Sequence, residues 1–426
     1  MLKHKKKKMT HNNKETQPLG LNSFQEDEKR DLENEILKRG VADIITEQGL
    51  KDRLLEKKPL RVKYGIDPTM RSAHIGHAVP IRKLKQFQEL GHVAVFIIGD
   101  YTARIGDPSG MSATRKVLSA EEVQRNAEKY FQQVYKILDR DKTEIRLQSE
   151  WYGQFDLEKL IRLMSKVTYG QLMSHETFSK RVKDGKVLAF HEMLYPVLQA
   201  YDSVAVKADV ELGGIDQRFN FVLTRDLQKS FGQRPEEVIL TKYLPGIDGQ
   251  EKMSKSLGNT VDLLDSSANM FFKIMSIPDE LMPIFFELAT DLPLEQVKSL
   301  ISRWKTGDIH PMDLKKILAR NITVLYHSAD EVHQAEKKFE RQIQRKEIPD
   351  NIPVVNMSES SVNVIGLLVS TGMATSRSEA KRLVGQKAVE IDGNPITNYQ
   401  LPITIKDGMI IKVGKRKFLK ISANQQ

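Results

Sequence analysis

One short segment of this 426-residue sequence contains residue types that bind phosphate groups. The segment KYGIDPTMRSAHIGH, residues 63–77, places His74 and His77 three residues apart, with Gly76 between them. Imidazole groups can donate hydrogen bonds to an anion, and glycine lets the backbone approach that anion closely. The segment is therefore suited to hold a phosphate, although two histidines that cap a helix and pack beside it would leave the same pattern.

A second segment, GQEKMSKSLGN at residues 249–259, is a basic loop between glycines. It places Lys252 and Lys255 three residues apart, so that two ammonium groups could close on a polyphosphate that leaves a reaction centre. Taken alone, such a run is equally typical of a solvated surface loop. Its occurrence about 175 residues after the two histidines favours a joint site for nucleotide chemistry.

The elements around the first segment predict how it is positioned. PLRVKYGID, at residues 59–67, is typical of a strand that ends before Pro68, and GHAVPIRKLKQFQEL, at 76–90, is typical of a helix. The run HVAVFIIGD, at 92–100, is apolar almost throughout, as in a parallel strand buried on both faces. The sequence therefore predicts an α/β, doubly wound, Rossmann-like domain, with the histidines at a helix amino terminus where unpaired N–H groups attract phosphate.

Composition and charge bound the class of protein. With 40% hydrophobic residues, no run of eighteen apolar residues and no signal-peptide pattern, the chain is expected to be soluble and cytoplasmic, without a membrane partner. The absence of cysteine excludes disulfides, cysteine nucleophiles and thiolate metal sites. The net charge of +10 comes from the two ends, residues 1–20 and 361–426. A basic end module on a near-neutral body indicates that a polyanion is bound at one edge.

Five motifs together resemble a known enzyme family. HIGH at 74–77 and KMSKS at 252–256 are similar to the two signatures of class I aminoacyl-tRNA synthetases. Three further stretches are similar to the bacterial-type tyrosyl-tRNA synthetases, namely GDPSG at 106–110, YPVLQAYD at 195–202 and GGIDQRFN at 213–220. The resemblance covers roughly residues 30 to 422.

This resemblance implies a ligase that activates L-tyrosine with ATP, forming tyrosyl-adenylate and pyrophosphate, and transfers tyrosine to the 3′-terminal adenosine of tRNA(Tyr). No protein nucleophile is required, because positioning and electrostatic stabilisation of phosphate oxygens can carry the reaction. Mg²⁺ would be carried with ATP, since the sequence has no visible carboxylate cage and predicts no metal site of its own. Enzymes of this family dimerise through a connective insertion, here about residues 115–190, so a homodimer is expected.

The resemblance also implies roles for individual positions. Catalytic phosphate contacts fall on His74, His77, Thr69, Lys252 and Lys255. ATP contacts add Asp67, Gly76 and Asp216 to the two lysines. Tyrosine contacts fall on Tyr195, Gln199, Asp202, Asp107, Gln217, Lys63 and Tyr64. In this assignment Asp202 faces the phenolic hydroxyl, and phenylalanine would leave that buried acceptor unpaired.

Two positions depart from the family pattern. Many bacterial relatives carry tyrosine four residues before the residue that matches Asp67, where this chain has Lys63, so the second contact to the substrate hydroxyl is open. Some relatives have lysine directly after GDPSG, where Met111 stands here, and Arg115 or Lys116 would have to replace it.

Composition and the resemblance together predict the domain organisation. We expect a disordered Lys-rich tail at 1–28, the catalytic domain at 29–262, a helical anticodon-side domain at 263–346, a linker at 347–361 and a small α+β, S4-like RNA-binding domain at 362–426. In the last domain, TSRSEAKRLV begins with a capping-box pattern and places Arg377, Lys381 and Arg382 on one side of a helix. These cations are predicted to contact RNA phosphates.

Two other functions remain compatible with parts of the sequence. One is a different nucleotide-activating enzyme, either a tryptophan-activating synthetase or a nucleotidylyltransferase, and the S4-like module argues against it. The other is an RNA-binding protein that kept the fold without catalysis. The intact set of His74, His77, Lys252, Lys255 and Asp202 argues against that alternative. Amino-acid-dependent ATP turnover would separate an enzyme from an RNA-binding protein.

Overall fold

The computed structural model describes residues 35–56, 58–68, 72–109, 118–344, 352–399, 402–414 and 417–423. Several predictions fall on residues outside these ranges and stay predictions, namely those for Thr69, Met111, Arg115, Lys116 and the tail at 1–28. Contacts between residues divide the chain into two compact units, with the division between His333 and Gln334.

The first unit is built on a six-stranded sheet. Its strands are β1 (Val41–Ile45), β2 (Arg61–Ile66), β3 (Val93–Ile98), β4 (Thr143–Leu147), β5 (Val210–Gly214) and β6 (Glu237–Thr241). Their order is β1-β6-β5-β2-β3-β4, with β1 antiparallel to β6 and every other neighbouring pair parallel. This confirms the predicted doubly wound α/β fold. The strand order reverses direction between β2 and β5, and ligands of such sheets bind outside the carboxyl ends of the strands at this point.

Apolar sequence explains the centre of the sheet. Five of the six residues of β3 and all five residues of β6 are buried. Continuous apolar runs are the expected pattern for parallel strands that are covered on both faces. β2, β5 and β6 depart from this pattern, because their buried residues include the charged Lys63, Glu211 and Glu237 respectively.

Helices cover both faces of the sheet and continue beyond it. They are α1 (Glu47–Leu55), α2 (Ile75–Glu89), α3 (Thr102–Ile105), α4 (Ala120–Val134), α5 (Ser149–Tyr152), α6 (Leu157–Met164), α7 (Tyr169–Met173), α8 (Glu176–Lys183), α9 (Tyr195–Val206), α10 (Arg218–Ser230), α11 (Ser267–Met275), α12 (Met282–Ala289), α13 (Leu294–Lys305), α14 (Pro311–Thr323) and α15 (Ala329–Phe339). The predicted strand, helix and strand around the first segment are present as β2, α2 and β3. Within the described residues, no helix is both long and apolar enough to cross a membrane.

The segment predicted as a mostly helical insertion contributes to the sheet as well. Residues 115–190 contain β4, which pairs in parallel with β3 at the edge of the sheet. They also contain α5, directly after β4, and this helix faces the carboxyl end of β3, because the Gln148 N–H donates to the Ile98 carbonyl at 3.2 Å. The insertion therefore supplies side chains to the same end of the sheet as the first segment.

The second unit begins within α15, and its described residues from Val354 onward form small sheets and two helices. Its elements are β7 (Val354–Met357), β8 (Ser361–Asn363), α16 (Val364–Ser370), α17 (Arg377–Gly385), β9 (Val389–Ile391), β10 (Asn394–Pro395), β11 (Pro402–Thr404), β12 (Ile410–Val413) and β13 (Lys417–Ala423). Five strands form a sheet in the order β10-β9-β12-β13-β7, and β11 pairs with β8. β7 lies within the segment predicted as a linker and pairs with β13.

The cap of α17 forms largely as its sequence predicts. The Ser376 hydroxyl accepts a hydrogen bond from the Glu379 N–H at 3.2 Å. The Glu379 carboxylate in turn accepts from the Thr375 N–H at 2.8 Å, one residue before the position of an ordinary capping box. Arg377, Lys381 and Arg382 are exposed on this helix.

Candidate active site

A cleft of about 380 Å³ opens at the carboxyl ends of β2 and β5, where the strand order reverses. Its lining includes every ATP- or tyrosine-contacting position predicted from the sequence that the structure describes, namely Lys63, Tyr64, Asp67, His74, Gly76, His77, Asp107, Tyr195, Gln199, Asp202, Asp216, Gln217, Lys252 and Lys255. The fold thus brings together residues that are up to about 190 positions apart in the sequence.

The two histidines lie at the amino terminus of α2. Their rings stack with centroids 3.8 Å apart, and the His74 N–H donates to His77 Nδ1 at 3.3 Å. A Cβ at Gly76 would lie 2.9 Å from His74 Nδ1, so this position requires glycine. Burial lowers the pKa of His74 to about 4 and that of His77 to about 3, so both rings are neutral at neutral pH. Among the residues that the structure describes, none forms a hydrogen bond with the buried His74 Nδ1, which could therefore bond to a ligand.

The lysines of the second segment also line the cleft and are paired with carboxylates. Lys255 Nζ lies 3.3 Å from Asp262 and also donates to the Ser72 hydroxyl. Lys252 Nζ lies 3.8 Å from Asp216, and its side chain is 59% exposed against 23% for Lys255. Phosphate oxygens could replace these carboxylates as partners of the ammonium groups, because they too carry negative charge and accept hydrogen bonds.

Backbone pairing joins the two signature segments. His74 forms a bridge with Asp262, the Ile75 N–H donates to the Val261 carbonyl at 2.9 Å, and the Leu263 N–H donates to the Ala73 carbonyl at 3.0 Å. The chain that follows the lysine loop is therefore fixed to the start of α2. This pairing places two motifs that are far apart in sequence at the same cleft.

Helix α9 presents one face to the cleft. Tyr195, Gln199 and Asp202 lie at i, i+4 and i+7 on that face. The Tyr195 hydroxyl donates to Asp67 Oδ2 at 2.9 Å, and the Thr102 hydroxyl donates to the other oxygen of this carboxylate at 2.6 Å. Asp67 therefore connects β2 to both α9 and α3.

Hydrogen bonds from side-chain amides connect several of the positions that are predicted to contact tyrosine. Gln217 Nε2 donates to Asp107 Oδ2 at 2.8 Å, and Gln199 Nε2 donates to Gln217 Oε1 at 3.3 Å. Asn220 Nδ2 donates to Gln199 Oε1 at 2.8 Å, which fixes the orientation of this amide. Burial raises the pKa of Asp107. The oxygen-rich cluster can accept hydrogen bonds from an ammonium group.

Asp202 is a buried carboxylate with three neutral donors. Gln148 Nε2 donates to one oxygen at 2.7 Å, while Trp151 Nε1 and the Tyr152 hydroxyl donate to the other at 3.1 and 3.2 Å. Burial raises the pKa of Asp202 to about 7, against the opposing effect of the Lys63 ammonium. A substrate hydroxyl could donate to an oxygen of this carboxylate, whose orientation is already fixed.

Lys63 and Tyr64 point to opposite faces of the sheet, as neighbouring residues of a strand must. Lys63 Nζ lies 2.6 Å from Glu211 and donates to the Ser203 hydroxyl at 2.7 Å. The Tyr64 ring packs against Phe96 with centroids 5.8 Å apart. Both residues line the cleft, but the contacts of their polar and aromatic ends are with the protein.

Sequence reasoning missed several residues that line or support this cleft, namely Thr102, Gln148, Trp151, Tyr152, Ser203 and Glu211. Three of them follow β4, in a segment interpreted as a helical insertion, and the alternating run TEIRL was the available signal for a strand there. Their side chains reach the cleft only because β4 joins the sheet beside β3.

Comparisons with known proteins show the family to which this chain belongs. A family model described as tRNA synthetases class I (W and Y) matches residues 55–344, and one described as a Tyrosine--tRNA ligase SYY-like C-terminal domain matches residues 343–421. The tyrosine–tRNA ligase of Dehalococcoides mccartyi (strain CBDB1) is 47% identical over 388 residues, which cover 91% of this chain and 98% of that protein. This chain belongs to the tyrosine–tRNA ligase family. The ligase of Thermotoga maritima is 46% identical over 390 residues, covering 92% and 97%.

Solved structures of synthetases share the fold. A C-terminally truncated mitochondrial tyrosyl-tRNA synthetase of Aspergillus nidulans matches with a TM-score of 0.62 at 17% identity, covering 76% of this chain and 100% of that chain. The tyrosyl-tRNA synthetase of Archaeoglobus fulgidus, solved in complex with L-tyrosine, matches with a TM-score of 0.59 at 22% identity, covering 72% and 98%. The class I synthetase fold that the HIGH and KMSKS motifs predict is therefore confirmed.

Proposed function

We propose that the cleft activates L-tyrosine with ATP and that the enzyme then transfers tyrosine to the 3′-terminal adenosine of tRNA(Tyr). In the first step a tyrosine carboxylate oxygen attacks the α-phosphorus, the bond to the bridging oxygen breaks, and pyrophosphate leaves. In the second step a terminal ribose hydroxyl attacks the carbonyl carbon and AMP leaves. The observation that carries this proposal is the buried carboxylate of Asp202, which could accept a hydrogen bond from a substrate hydroxyl. It lies in the same cleft as the two histidines and the two lysines.

The histidine and lysine pairs supply the electrostatic part of the activation step. We assign neutral donors to His74 and His77, because burial keeps both rings uncharged. Lys252 and Lys255 face the pyrophosphate that accumulates charge as it leaves. Thr69 is proposed to join them. Asp67, Gly76 and Asp216 complete the proposed ATP contacts.

Tyrosine recognition is assigned to the face of α9 and its neighbours. Tyr195, Gln199 and Asp107 would hold the ammonium, and Gln217 would lie beside the carboxylate. Asp202 would accept the phenolic hydroxyl proton in a hydrogen bond. Phenylalanine would not supply this hydrogen bond, although the protein donors to Asp202 would remain, and loss of a hydrogen bond to a charged group costs about 1.5–3 kcal/mol.

ATP is proposed to bring Mg²⁺ to the cleft on its phosphates. Among the residues that the structure describes, no group of three His, Cys, Asp or Glu side chains is placed to hold a metal ion. A metal carried by the nucleotide would neutralise phosphate charge, while the chain positions the phosphates through the histidines and lysines. Use of ATP and tRNA supports a cytoplasmic location.

The decisive test is ATP–pyrophosphate exchange measured separately with tyrosine, phenylalanine and tryptophan. We expect exchange with tyrosine and little with the other two, because only tyrosine supplies the hydroxyl that Asp202 accepts. A preference for tryptophan would instead indicate a tryptophan-activating synthetase of the same class I family. An absence of exchange with all three would overturn the catalytic proposal and leave an RNA-binding role.

We further propose that the second unit is an S4-like module that binds tRNA phosphates. The exposed Arg377, Lys381 and Arg382 on α17 support this assignment. An Arg377→Ala/Lys381→Ala variant should raise the KM for tRNA about tenfold and reduce the salt dependence of binding, while exchange stays unchanged. Lys412→Ala is the matched control, since Lys412 Nζ is paired with Glu390 at 2.9 Å in the same unit. Equal effects of the two variants would contradict the proposed contact surface.

We also propose that the enzyme is a homodimer that associates through the insertion. Large apolar side chains on this segment are exposed in the single chain, namely Leu157, Ile161, Val182, Val187 and Phe190. A second copy is the partner that the family resemblance implies for this surface. Sedimentation equilibrium should give twice the mass of one chain, and Phe190→Glu should lower it toward the mass of a single chain. A single-chain mass for the unmodified protein would contradict the proposal.

A further inference from the structure

A fully buried ammonium lies beneath the tyrosine end of the cleft. Lys63 is 1% exposed, and its Nζ contacts Glu211 at 2.6 Å, the Ser203 hydroxyl at 2.7 Å and the Gln199 carbonyl at 3.4 Å. These three acceptors match the three N–H bonds of an ammonium. Stability alone does not explain the arrangement, since replacing a buried ion pair with packed apolar residues often leaves a protein equally stable.

The ammonium joins two strands to the helix that reads tyrosine. Lys63 lies on β2 and Glu211 on β5, the two strands that flank the point where the sheet order reverses. The other contacts of Lys63, at Gln199 and Ser203, lie on α9 and enclose Asp202 in the sequence. Movement of α9 by a fraction of an ångström would shift the substrate-facing carboxylate.

Lys63 balances the negative charge of the acidic groups around Asp202. The groups that face Asp202 from the insertion are the neutral Gln148, Trp151 and Tyr152. From the sheet side come Lys63 and Glu211, and the Glu236 side chain adjoins Glu211. Burial and the neighbouring Glu211 raise the pKa of Glu236 well above its usual range.

The charge of Lys63 itself is retained. Burial alone would lower the pKa of Lys63, but the carboxylates of Glu211, Glu236 and Asp202 outweigh burial and raise it. Lys63 is therefore an ammonium that faces the acidic side chains of Glu211, Glu236 and Asp202.

We infer that Lys63 is a positioning residue for tyrosine recognition: its ammonium holds α9 against the sheet and keeps Asp202 an ionised acceptor for the substrate hydroxyl. The inference rests on the proposed hydroxyl-reading role of Asp202. It also accounts for the lysine that replaces the tyrosine of many relatives. In this chain Lys63 affects tyrosine binding indirectly, through Asp202 and α9, because its ammonium donates its hydrogen bonds to protein acceptors.

Lys63→Met keeps the length of the side chain and removes the charge. The expected result is a rise of about tenfold in the KM for tyrosine in ATP–pyrophosphate exchange, with kcat and the KM for ATP changed by less than about threefold. The acid limb of kcat/KM for tyrosine should move to higher pH, because the charge that opposes protonation of Asp202 is gone. An unmoved acid limb together with an unchanged KM would overturn the inference.

Lys83→Met is the matched control for the loss of a buried ammonium. Lys83 is 5% exposed and donates to the Ile36 carbonyl at 2.9 Å, away from the tyrosine cleft. This variant should lower Tm but leave the KM for tyrosine and the acid limb at their original values. A shift of the acid limb equal to that of Lys63→Met would count against a specific role for Lys63.

Two more variants separate positioning from folding. Lys63→Met/Glu211→Gln removes both charges of the pair, so it should recover thermal stability while the KM for tyrosine stays high. Recovery of both quantities would show that Lys63 serves stability only and would overturn the inference. Ser203→Ala keeps both charges and removes one bond to α9, so it tests the inference even if the charge variants fail to fold. It should raise the KM for tyrosine about threefold without moving the acid limb, and an unchanged KM would exclude the hold on α9.

Measurements on the unmodified enzyme distinguish a failure of this inference from a failure of the proposed function. Tyrosine-dependent exchange by the unmodified enzyme together with unaltered behaviour of the Lys63 and Ser203 variants would reject only the positioning role. Absence of tyrosine-dependent exchange in the unmodified enzyme would reject the proposed function and the inference with it.

Discussion

Replacing Lys255 by alanine is expected to slow tyrosine-dependent ATP–pyrophosphate exchange by about 10²–10³-fold, the usual loss for one preorganised donor at a site of developing charge. Lys255 is only 23% exposed and lies at the cleft wall beside the start of α2. Its ammonium can therefore act where water screens it weakly. Because charge on pyrophosphate grows during the reaction, the loss should fall mainly on kcat, with a smaller change in the KM for tyrosine. Steady-state and single-turnover measurements give the separate effects on kcat and on the KM for tyrosine.

The matched control is Lys242→Ala. Lys242 also lines the cleft, but its Nζ is paired with Glu287 at 2.8 Å. This variant should retain exchange within about threefold, since exposed ion pairs contribute little. A Lys255→Ala enzyme that is as active as the Lys242→Ala control would remove Lys255 from the proposed mechanism.

Replacing Asp202 by asparagine is expected to lower kcat/KM for tyrosine by about 10- to 100-fold, the range for loss of a hydrogen bond to a charged group. The same variant should alter pH dependence. Burial raises the pKa of Asp202 to about 7, so in the unmodified enzyme the acceptor is protonated as pH falls through this value and kcat/KM for tyrosine falls with it. Asparagine does not titrate, so this acid limb should disappear.

The measurement is kcat/KM for tyrosine and for phenylalanine from about pH 5.5 to about 8.5. Phenylalanine has no hydroxyl, so its low kcat/KM should change little in the variant. Asp209→Asn is a suitable control, because Asp209 is paired with Arg53 at 2.6 Å and its loss should reduce stability without altering the acid limb. Persistence of the limb in Asp202→Asn would assign it to another group.

The local sequence determined the central part of the fold. The apolar run at β3 predicts a buried parallel strand, because a strand covered on both faces has no polar side. Pro68 marks the end of β2, and the helix after HIGH occurs at Ile75–Glu89, within one residue of its predicted bounds. The phosphate-binding residue types are visible in sequence because they cluster in short motifs at a strand end and in a glycine-bounded loop.

Only the tertiary structure decided which groups surround the substrate hydroxyl. Gln148 and Trp151 reach Asp202 from more than fifty positions away, and they do so because β4 pairs with β3. The acceptor of Lys63 on β5 is likewise set by strand order. Burial and charge at Asp202 arise from these long-range contacts, and no pattern of neighbouring residues encodes them. The sequence by itself therefore determined the fold and the motifs that predict phosphate binding, whereas the folded chain determined the burial and orientation of Asp202, the group proposed to read tyrosine.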